Sequence, residues 1–155
     1  MSSLSNTDLY KNTMAIRVAL IGTDGSGKTE IMRRLSGQAF RPAYYPTWGT
    51  ETWNVTIENL SFIVTEYSGQ EQLLNVPQEE LDAITAYILV TVDTRLGIRS
   101  TNRLQAKLPD VPHCVIMNKT DVYPTNHEFK CCARTNDNLD APFLRIAQLY
   151  EMDSD

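Results

Sequence analysis

The sequence predicts an α/β domain built on a mostly parallel sheet with helices on both faces. Two observations predict it. Segments with a strand pattern alternate with segments of helical spacing, which is the order of βαβ units. A glycine-rich loop, Gly22–Thr29, stands between the first strand and the first helix. The 155 residues are enough for one domain with a buried core, and 42% hydrophobic and 21% charged residues are ordinary for a globular protein.

Hydrophobic spacing places the individual elements. Period-two alternation or an uninterrupted apolar run marks the predicted strands, which are 14–21, 52–57, 61–65, 84–92, 113–117 and 127–131. Spacings of three and four residues mark the predicted helices, which are 30–35, 96–108 and 143–150, with a further helix start at 77–80. The second and third strands form a hairpin that turns at 58–60, and Trp53 on it is interpreted as a packing residue.

The segment before the last predicted strand is unusually short. Only eleven residues, Val122 to Cys132, separate Asp121 from Ala133. A strand at 127–131 leaves five of them, whereas a crossover helix with its turns needs at least about 10–12 residues. We therefore expect no helix between the last two strands, and an extended return in its place.

The loop Gly22–Thr29 fits the pattern G-x-x-x-x-G-K-[ST] of a phosphate-binding loop. Glycines let the backbone curl around a polyphosphate so that successive N–H groups point inward, and the helix N-terminus adds partial positive charge. In such a loop Lys28 reaches the β- and γ-phosphates, and the Thr29 hydroxyl ligates Mg²⁺. A glycine-rich turn without a ligand is the alternative, which the strand and helix on either side disfavour.

The segment Asn118–Asp121 indicates which base is bound. It follows the strand 113–117, and ligands of open α/β sheets lie at the carboxyl ends of the strands. The Asp121 carboxylate can accept hydrogen bonds from N1–H and the exocyclic amine of guanine, whereas adenine offers no such pair of donors. Lys119 supplies a stem to lie along the purine, and Asn118 can tie this loop to the phosphate loop. The sequence therefore predicts a guanine-nucleotide site.

In their order along the chain, these motifs resemble those of the Ras superfamily of small GTPases over about residues 14–150. Pro46-Thr47 resembles the switch I threonine, residues 66–71 resemble the D-x-x-G-Q-E that opens switch II, and Cys131–Arg134 resembles S-A-K. The resemblance implies the P-loop NTPase (small G-protein) fold, with a mostly parallel six-stranded sheet flanked by helices. It also implies GTP or GDP as the ligand and Mg²⁺ as the cofactor.

The resemblance assigns roles to single residues. Gln70 would orient the attacking water, and Lys28 and Thr47 would complete the catalytic set. Thr29, Thr47 and, through a water, Glu66 would hold Mg²⁺. In the S-A-K segment a backbone N–H would contact guanine O6. The residues expected to contact the nucleotide are Asp24, Gly25, Ser26, Gly27, Lys28, Thr29, Glu30, Phe40 (against the base), Gly69, Asn118, Lys119, Asp121, Cys132, Ala133 and Arg134.

Within the superfamily the sequence is most similar to the Ran branch. Residues 47–51 resemble its T-L-G-V-E, and residues 136–144 resemble its N-Y-N-F-E-K-P-F-L. The resemblance implies an exchange factor, an activator and transport-receptor effectors of the Ran type, and a part in nucleocytoplasmic transport. That last step is analogy, because a fold does not carry a function by itself.

Two residues depart from the family pattern at the reaction site. Asp24 stands where most relatives have glycine, and its carboxylate would crowd and repel the γ-phosphate. That repulsion is roughly 4 kcal/mol at about 4 Å and a dielectric near 20, before Mg²⁺ and Lys28 offset it. Glu66 stands where the family has aspartate, and its extra methylene shifts a carboxylate whose position Mg²⁺ constrains tightly. We expect slow hydrolysis and weaker magnesium binding, unless either side chain turns to solvent.

Three functions remain open from the sequence. The first is a GTP-binding switch that hydrolyses GTP to GDP and phosphate slowly. The second is a decoy or effector-binding module that stays bound to GTP and does not cycle. The third is a nucleotide-free scaffold, which is disfavoured because the residues of both nucleotide motifs are intact: Lys28, Thr29, Asn118, Lys119 and Asp121.

Charge and terminal sequence argue against other classes. A net charge of −5 leaves no basic surface for nucleic acid, and no apolar run approaches transmembrane length. Neither Ser2 nor residues 151–155 carries a lipidation signal, so we expect no membrane anchor. Three cysteines without C-x-x-C spacing favour an intracellular location, in the cytoplasm or nucleus. We expect a monomer with a loose arm at 1–13, a GTP-binding domain at 14–150 and a short acidic tail at 151–155.

Overall fold

The computed structural model describes residues 15–23, 25–40, 49–67 and 75–153. Its architecture is a mixed sheet with helices on both faces, as the sequence predicts. The strands are β1 (Ile16–Gly22), β2 (Thr50–Ile57), β3 (Leu60–Tyr67), β4 (Tyr87–Thr91) and β5 (His113–Met117). The helices are α1 (Lys28–Leu35), α2 (Gln78–Asp82), α3 (Arg95–Gln105) and α4 (Ala141–Asp153).

The order of strands across the sheet is β2-β3-β1-β4-β5. Strands β3, β1, β4 and β5 run parallel to their neighbours, and β2 pairs antiparallel with β3. The carboxyl ends of the four parallel strands therefore meet at one edge of the sheet. The loops that follow these strands gather there, which is where ligands of open α/β sheets bind.

Alternating side chains of the strands supply two separate cores. On β1, Val18 and Leu20 face the main core, to which α1 and α4 contribute. Ala19 and Ile21 face the second core, under α2 and α3. Because every second residue of a strand points to the same face, β1 is buried on both sides and reads as an uninterrupted apolar run.

The sheet has five strands among the described residues rather than the predicted six. The segment 127–131 makes one bridge, between Met117 and Lys130, supported by hydrogen bonds of Met117 N–H to Phe129 O (3.0 Å) and Cys131 N–H to Met117 O (2.7 Å). Residues 127–129 form no further bridge with β5, so the segment does not add a strand to the sheet. Residues 118–140 are all described and contain no helix, so the expected absence of the crossover helix is confirmed.

Two other boundaries differ from the sequence expectation. Strand β4 begins at Tyr87 rather than at 84, because Ile84 still bonds back to Leu81 of α2. The hairpin turn holds two residues, Glu58 and Asn59, both with positive φ, instead of three. A two-residue turn of this kind matches the twist of the flanking strands and sets their register.

The predicted arm at 1–13 lies outside the described residues, as do the last two residues of the predicted tail. Among the helices that the structure describes, none has both the length and the hydropathy needed to cross a bilayer.

Candidate functional site

The phosphate loop joins β1 to α1 at the carboxyl edge of the sheet. Helix α1 begins at Lys28, directly after Gly27, and no side chain caps its first turn. The Lys28 ammonium is buried and donates hydrogen bonds to the carbonyls of Gly22 (3.0 Å) and Thr23 (3.1 Å). These bonds hold a positive charge against the loop next to the positive end of the helix dipole. Together they make a site for an anion.

Four other residues expected to contact the nucleotide lie in this loop or in the first turn of α1: Gly25, Ser26, Gly27 and Glu30. Gly25 and Gly27 have φ of 75° and 95°, a conformation that non-glycine residues rarely adopt. Ser26 is buried, and its hydroxyl has no partner within the described ranges. Glu30 forms an ion pair with Arg33 at 3.7 Å. Asp24 lies outside the described residues.

The Asn118 side chain connects the phosphate loop to the loops that follow the sheet. Its Nδ2 donates to the Ser26 carbonyl at 2.8 Å, so the predicted connection to the phosphate loop is present. Its Oδ1 accepts from the Ala133 N–H at 3.2 Å and from the Cys131 thiol at 3.5 Å. Asn118 is 1% exposed, and through it three segments that are distant in sequence have a common anchor.

The residues expected to recognise the base surround this anchor. Lys119 has a positive φ of 57°, and its Cε lies 3.8 Å from where a Cβ on Gly27 would stand. Its stem therefore runs beside the phosphate loop, and its expected place along the purine stays a prediction. The Asp121 carboxylate, one quarter exposed, forms an ion pair with the Arg134 guanidinium at 3.5 Å. The structure thus brings both halves of the predicted base site together.

The segment that resembles S-A-K is held by hydrogen bonds to backbone and to side chains. The Cys132 N–H donates to the Asp137 carbonyl at 3.0 Å, and the Ala133 N–H donates to Asn118 as described above. The Ala133 carbonyl accepts from the Arg34 side chain of α1 at 3.0 Å. Phe40 packs against the main core, a cluster that includes Ala133. The Cys132 and Ala133 N–H groups already donate to Asp137 and Asn118. Either of them could contact guanine O6 only by sharing the hydrogen bond that it makes here.

Glu66, at the end of β3, is the buried acid of the site. It is 1% exposed, and its Oε2 accepts from the Thr29 hydroxyl while its Oε1 accepts from the Trp53 indole N–H at 3.1 Å. Burial raises the pKa of the Glu66 carboxyl above its ordinary value, and the two donors and the charge of Lys28 oppose this rise without cancelling it. The alternative that Glu66 faces solvent is wrong.

The remaining predicted site residues lie outside the described ranges. They are Thr47, Gly69 and Gln70. Their roles stay predictions from the sequence. No group of three or more His, Cys, Asp or Glu side chains suited to a metal occurs in the described part of the chain. A magnesium site here would instead use the Thr29 hydroxyl and the Glu66 carboxylate, both of which carry the hard oxygen donors that Mg²⁺ prefers.

Sequence reasoning missed Arg34 and Trp53 as parts of the site. For Trp53 a signal existed in the hairpin. With a two-residue turn, Ile57 pairs with Leu60 and Trp53 pairs with Val64, so Trp53 lies diagonal to Glu66 on the same face. A three-residue turn shifts this register and conceals the relation. Arg34 reaches a carbonyl far along the chain, and no local pattern indicates such a contact.

Comparisons with known proteins show the family of this chain. A model described as the ADP-ribosylation factor family matches residues 2–136. The chain is 26% identical over 110 residues to ADP-ribosylation factor-like protein 10 of Mus musculus, covering 68% of this chain and 45% of that protein. It is 22% identical over 150 residues to Sca1 complex protein phr of Dictyostelium discoideum, covering 90% of this chain and 15% of that protein.

The chain therefore spans less than half the length of either of these two relatives. The family match supports the resemblance to the Ras superfamily, because the ADP-ribosylation factor family is part of that superfamily. The Ran branch is not supported by these matches. Its similarities cover only five residues at 47–51 and nine at 136–144, and segments this short are a weak guide to descent.

A methyl group added to the phosphate loop tests the anchor at Asn118. In Gly27→Ala the new Cβ would stand 2.3 Å from Asn118 Nδ2, at a backbone φ of 95°. We expect the variant to lose more than the roughly 1–2 kcal/mol of unfolding free energy that the left-handed conformation alone costs. We also expect weaker guanine-nucleotide binding. Urea unfolding and equilibrium binding of a fluorescent nucleotide measure the two effects.

Gly37→Ala is the matched control for this prediction. Gly37 has a φ of 83°, but a Cβ there would meet no atom of the described residues within 4 Å. The control should lose only the conformational part of the stability and should bind nucleotide like the wild type. Equal behaviour of the two variants would contradict a role for the Gly27–Asn118 contact.

Two buried thiols, those of Cys131 and Cys114, predict a loss of stability at alkaline pH. Burial raises the pKa of Cys131 from 9.0 to about 12 and that of Cys114 from 9.0 to about 11. Below pH 9 both folded and unfolded chains keep these protons. Above it the unfolded thiols ionise first, so the unfolding free energy falls by up to about 1.4 kcal/mol per pH unit for each thiol.

Urea unfolding in a reducing buffer, from pH 8 to about pH 10, measures this decline. Cys131→Ala removes one of the two thiols, so its stability should fall less steeply with pH than that of the wild type. Parallel pH profiles for the two proteins would show that Cys131 does not contribute.

Proposed function

The chain belongs to the ADP-ribosylation factor family of small GTPases, and we propose that it binds GTP and GDP with Mg²⁺ and acts as a nucleotide-dependent switch. The observation that carries this proposal is the anchor at Asn118. One buried side chain joins the phosphate loop to the loop that carries Asp121 and to the loop that carries Ala133. Such a connection brings the expected phosphate and base contacts into a single site.

The charge distribution supports a triphosphate with its magnesium ion. Lys28 is held in the phosphate loop by two carbonyls, so its cation is positioned before a ligand arrives. Thr29 and Glu66 lie in direct contact at the first turn of α1 and would hold Mg²⁺, with the Glu66 carboxylate supplying the negative charge. When bound, Mg²⁺ neutralises phosphate charge and stabilises the charge that develops during phosphoryl transfer.

The proposed switch relies on residues whose roles come from the sequence. Thr47 and Gly69 would respond to the γ-phosphate, and Gln70 would orient the attacking water. Regulators and effectors of the general small-GTPase kind would be its partners. Ran-type partners and nucleocytoplasmic transport are finer assignments that these matches do not favour. We place its action inside the cell, which the three buried free cysteines support.

A second candidate is a module that holds GTP without cycling. The observation that favours it is the buried Glu66. Its side chain is one methylene longer than the family's aspartate, and two donors hold its carboxylate. Small displacements of a group that positions Mg²⁺ lower the rate of phosphoryl transfer, since that rate comes from positioning and charge stabilisation. The two candidates differ in turnover and not in nucleotide binding.

Exchange of one carboxylate for an amide tests base recognition. In Asp121→Asn the side chain can no longer accept two hydrogen bonds from guanine, but it can accept from N1–H and donate to O2 of xanthine. We expect affinity for GDP to fall by roughly a hundredfold or more, and affinity for xanthosine diphosphate to rise. Equilibrium binding of the two diphosphates measures this change.

Asp110→Asn is the control, because Asp110 is an exposed acid on the loop before β5. It should leave both affinities unchanged. Retention of wild-type GDP affinity by Asp121→Asn would contradict the proposed base site.

Single-turnover hydrolysis separates the two candidates. We expect the wild type to hydrolyse bound GTP slowly, and Asp24→Gly to be faster by roughly tenfold or more, because the γ-phosphate loses a neighbouring carboxylate. Phosphate release after addition of Mg²⁺ is the measurement, with Asp110→Gly as the control for loss of an acid elsewhere. If the wild type hydrolyses GTP at an ordinary rate and Asp24→Gly does not change it, Asp24 does not slow hydrolysis. That result would favour a conventional switch.

A further inference from the structure

The Glu66 carboxylate is held from two sides by elements that are separate in the fold. The Thr29 hydroxyl, on α1, donates to Oε2, and the Trp53 indole N–H, on β2, donates to Oε1 at 3.1 Å. Each carboxylate oxygen therefore has its own donor. A carboxylate that is 1% exposed needs such partners, because burial without them costs several kcal/mol.

The position of Trp53 follows from the pairing of β2 with β3. Trp53 pairs with Val64, and Glu66 lies two residues further along β3 on the same face. The indole is partly buried against the main core, so the direction of its N–H is set by packing as well as by the hydrogen bond. Glu51, directly opposite Glu66, is exposed and adds only a repulsive charge. Of these two cross-strand neighbours, Trp53 is the one that can orient the acid.

A glutamate at this place needs an additional constraint. It has one more rotatable bond than an aspartate, so its carboxylate can occupy more positions relative to Thr29. Mg²⁺ tolerates little deviation from octahedral geometry and depends on well-placed oxygen donors. The same extra methylene is what brings Oε1 within reach of a donor on the neighbouring strand.

We propose that Trp53 is a positioning residue for the magnesium site. Its indole N–H fixes one oxygen of Glu66 so that the other remains directed at Thr29. This inference rests on the proposed function, since it concerns the ion that accompanies the nucleotide. Partners that orient a metal-binding group commonly change metal affinity by 10–100-fold when they are removed.

The first experiment removes the indole N–H and keeps an aromatic ring. The dissociation rate of a fluorescent GDP is measured over a range of Mg²⁺ concentrations for the wild type, Trp53→Phe and Thr52→Ala. We expect Trp53→Phe to need roughly tenfold more Mg²⁺ to slow release by half, with little change in release at saturating Mg²⁺. Thr52 is exposed on the opposite face of β2, so its variant should match the wild type.

A double-mutant cycle separates positioning from general packing. Because the shorter side chain in the Glu66→Asp background cannot reach the indole, adding Trp53→Phe there should shift the Mg²⁺ dependence by less than about twofold. An equal shift in both backgrounds would overturn the proposal, because Trp53 would then act through packing alone. An unchanged Mg²⁺ dependence in Trp53→Phe itself would also overturn it.

A measurement on the wild type keeps the proposal testable if Trp53→Phe does not fold. In ¹⁵N-labelled protein, Trp48→Phe identifies which of the two indole N–H resonances belongs to Trp53. That resonance should exchange slowly with solvent and should move when Mg²⁺ is added to the GDP complex. A rapidly exchanging resonance that does not respond would overturn the inference. A wild type that binds no guanine nucleotide would overturn the proposed function and this inference with it.

Discussion

The hydrogen bonds of the Asn118 side chain are the interaction on which the site depends. They join the Ser26 carbonyl, the Ala133 N–H and the Cys131 thiol inside a buried pocket of the loops. These groups belong to segments that are distant in sequence, and the Asn118 side chain bonds to each of them. Leaving such buried groups without partners would cost about 1–3 kcal/mol each, so loss of Asn118 would weaken the connection between the phosphate loop and the loops after the sheet.

Two buried charges of the site have hydrogen-bond partners of their own. The Lys28 ammonium lies in the phosphate loop on two carbonyls, and the Glu66 carboxylate lies at the end of the neighbouring strand with two donors. Buried charges persist only where partners compensate for the water they have lost. Here the partners come from β1, α1 and β2. The positions of the two charged groups therefore depend on how these elements pack. A ligand with phosphate and Mg²⁺ matches the two charges.

The fold and much of the site were predictable from local patterns. The glycine loop and Asn118–Asp121 each have a spacing that their chemistry requires, so both motifs could be recognised in the sequence without tertiary information. The hairpin was predictable in existence but not in register, because a turn of two or three residues changes which side chains face each other. The absence of the sixth strand could not be predicted, because a short apolar segment has a strand pattern whether or not it pairs with a neighbouring strand.

The sequence by itself determined the α/β class and the phosphate loop, and it predicts a preference for guanine, because each of these is encoded by residues close together in the chain. Only the tertiary structure decided that Trp53 and Arg34 belong to the site, that the sheet ends at five strands in the described residues, and that Glu66 faces inward. These features join segments that are distant in sequence. Their contacts follow from strand register and helix packing, which depend on the whole core rather than on any local run of residues.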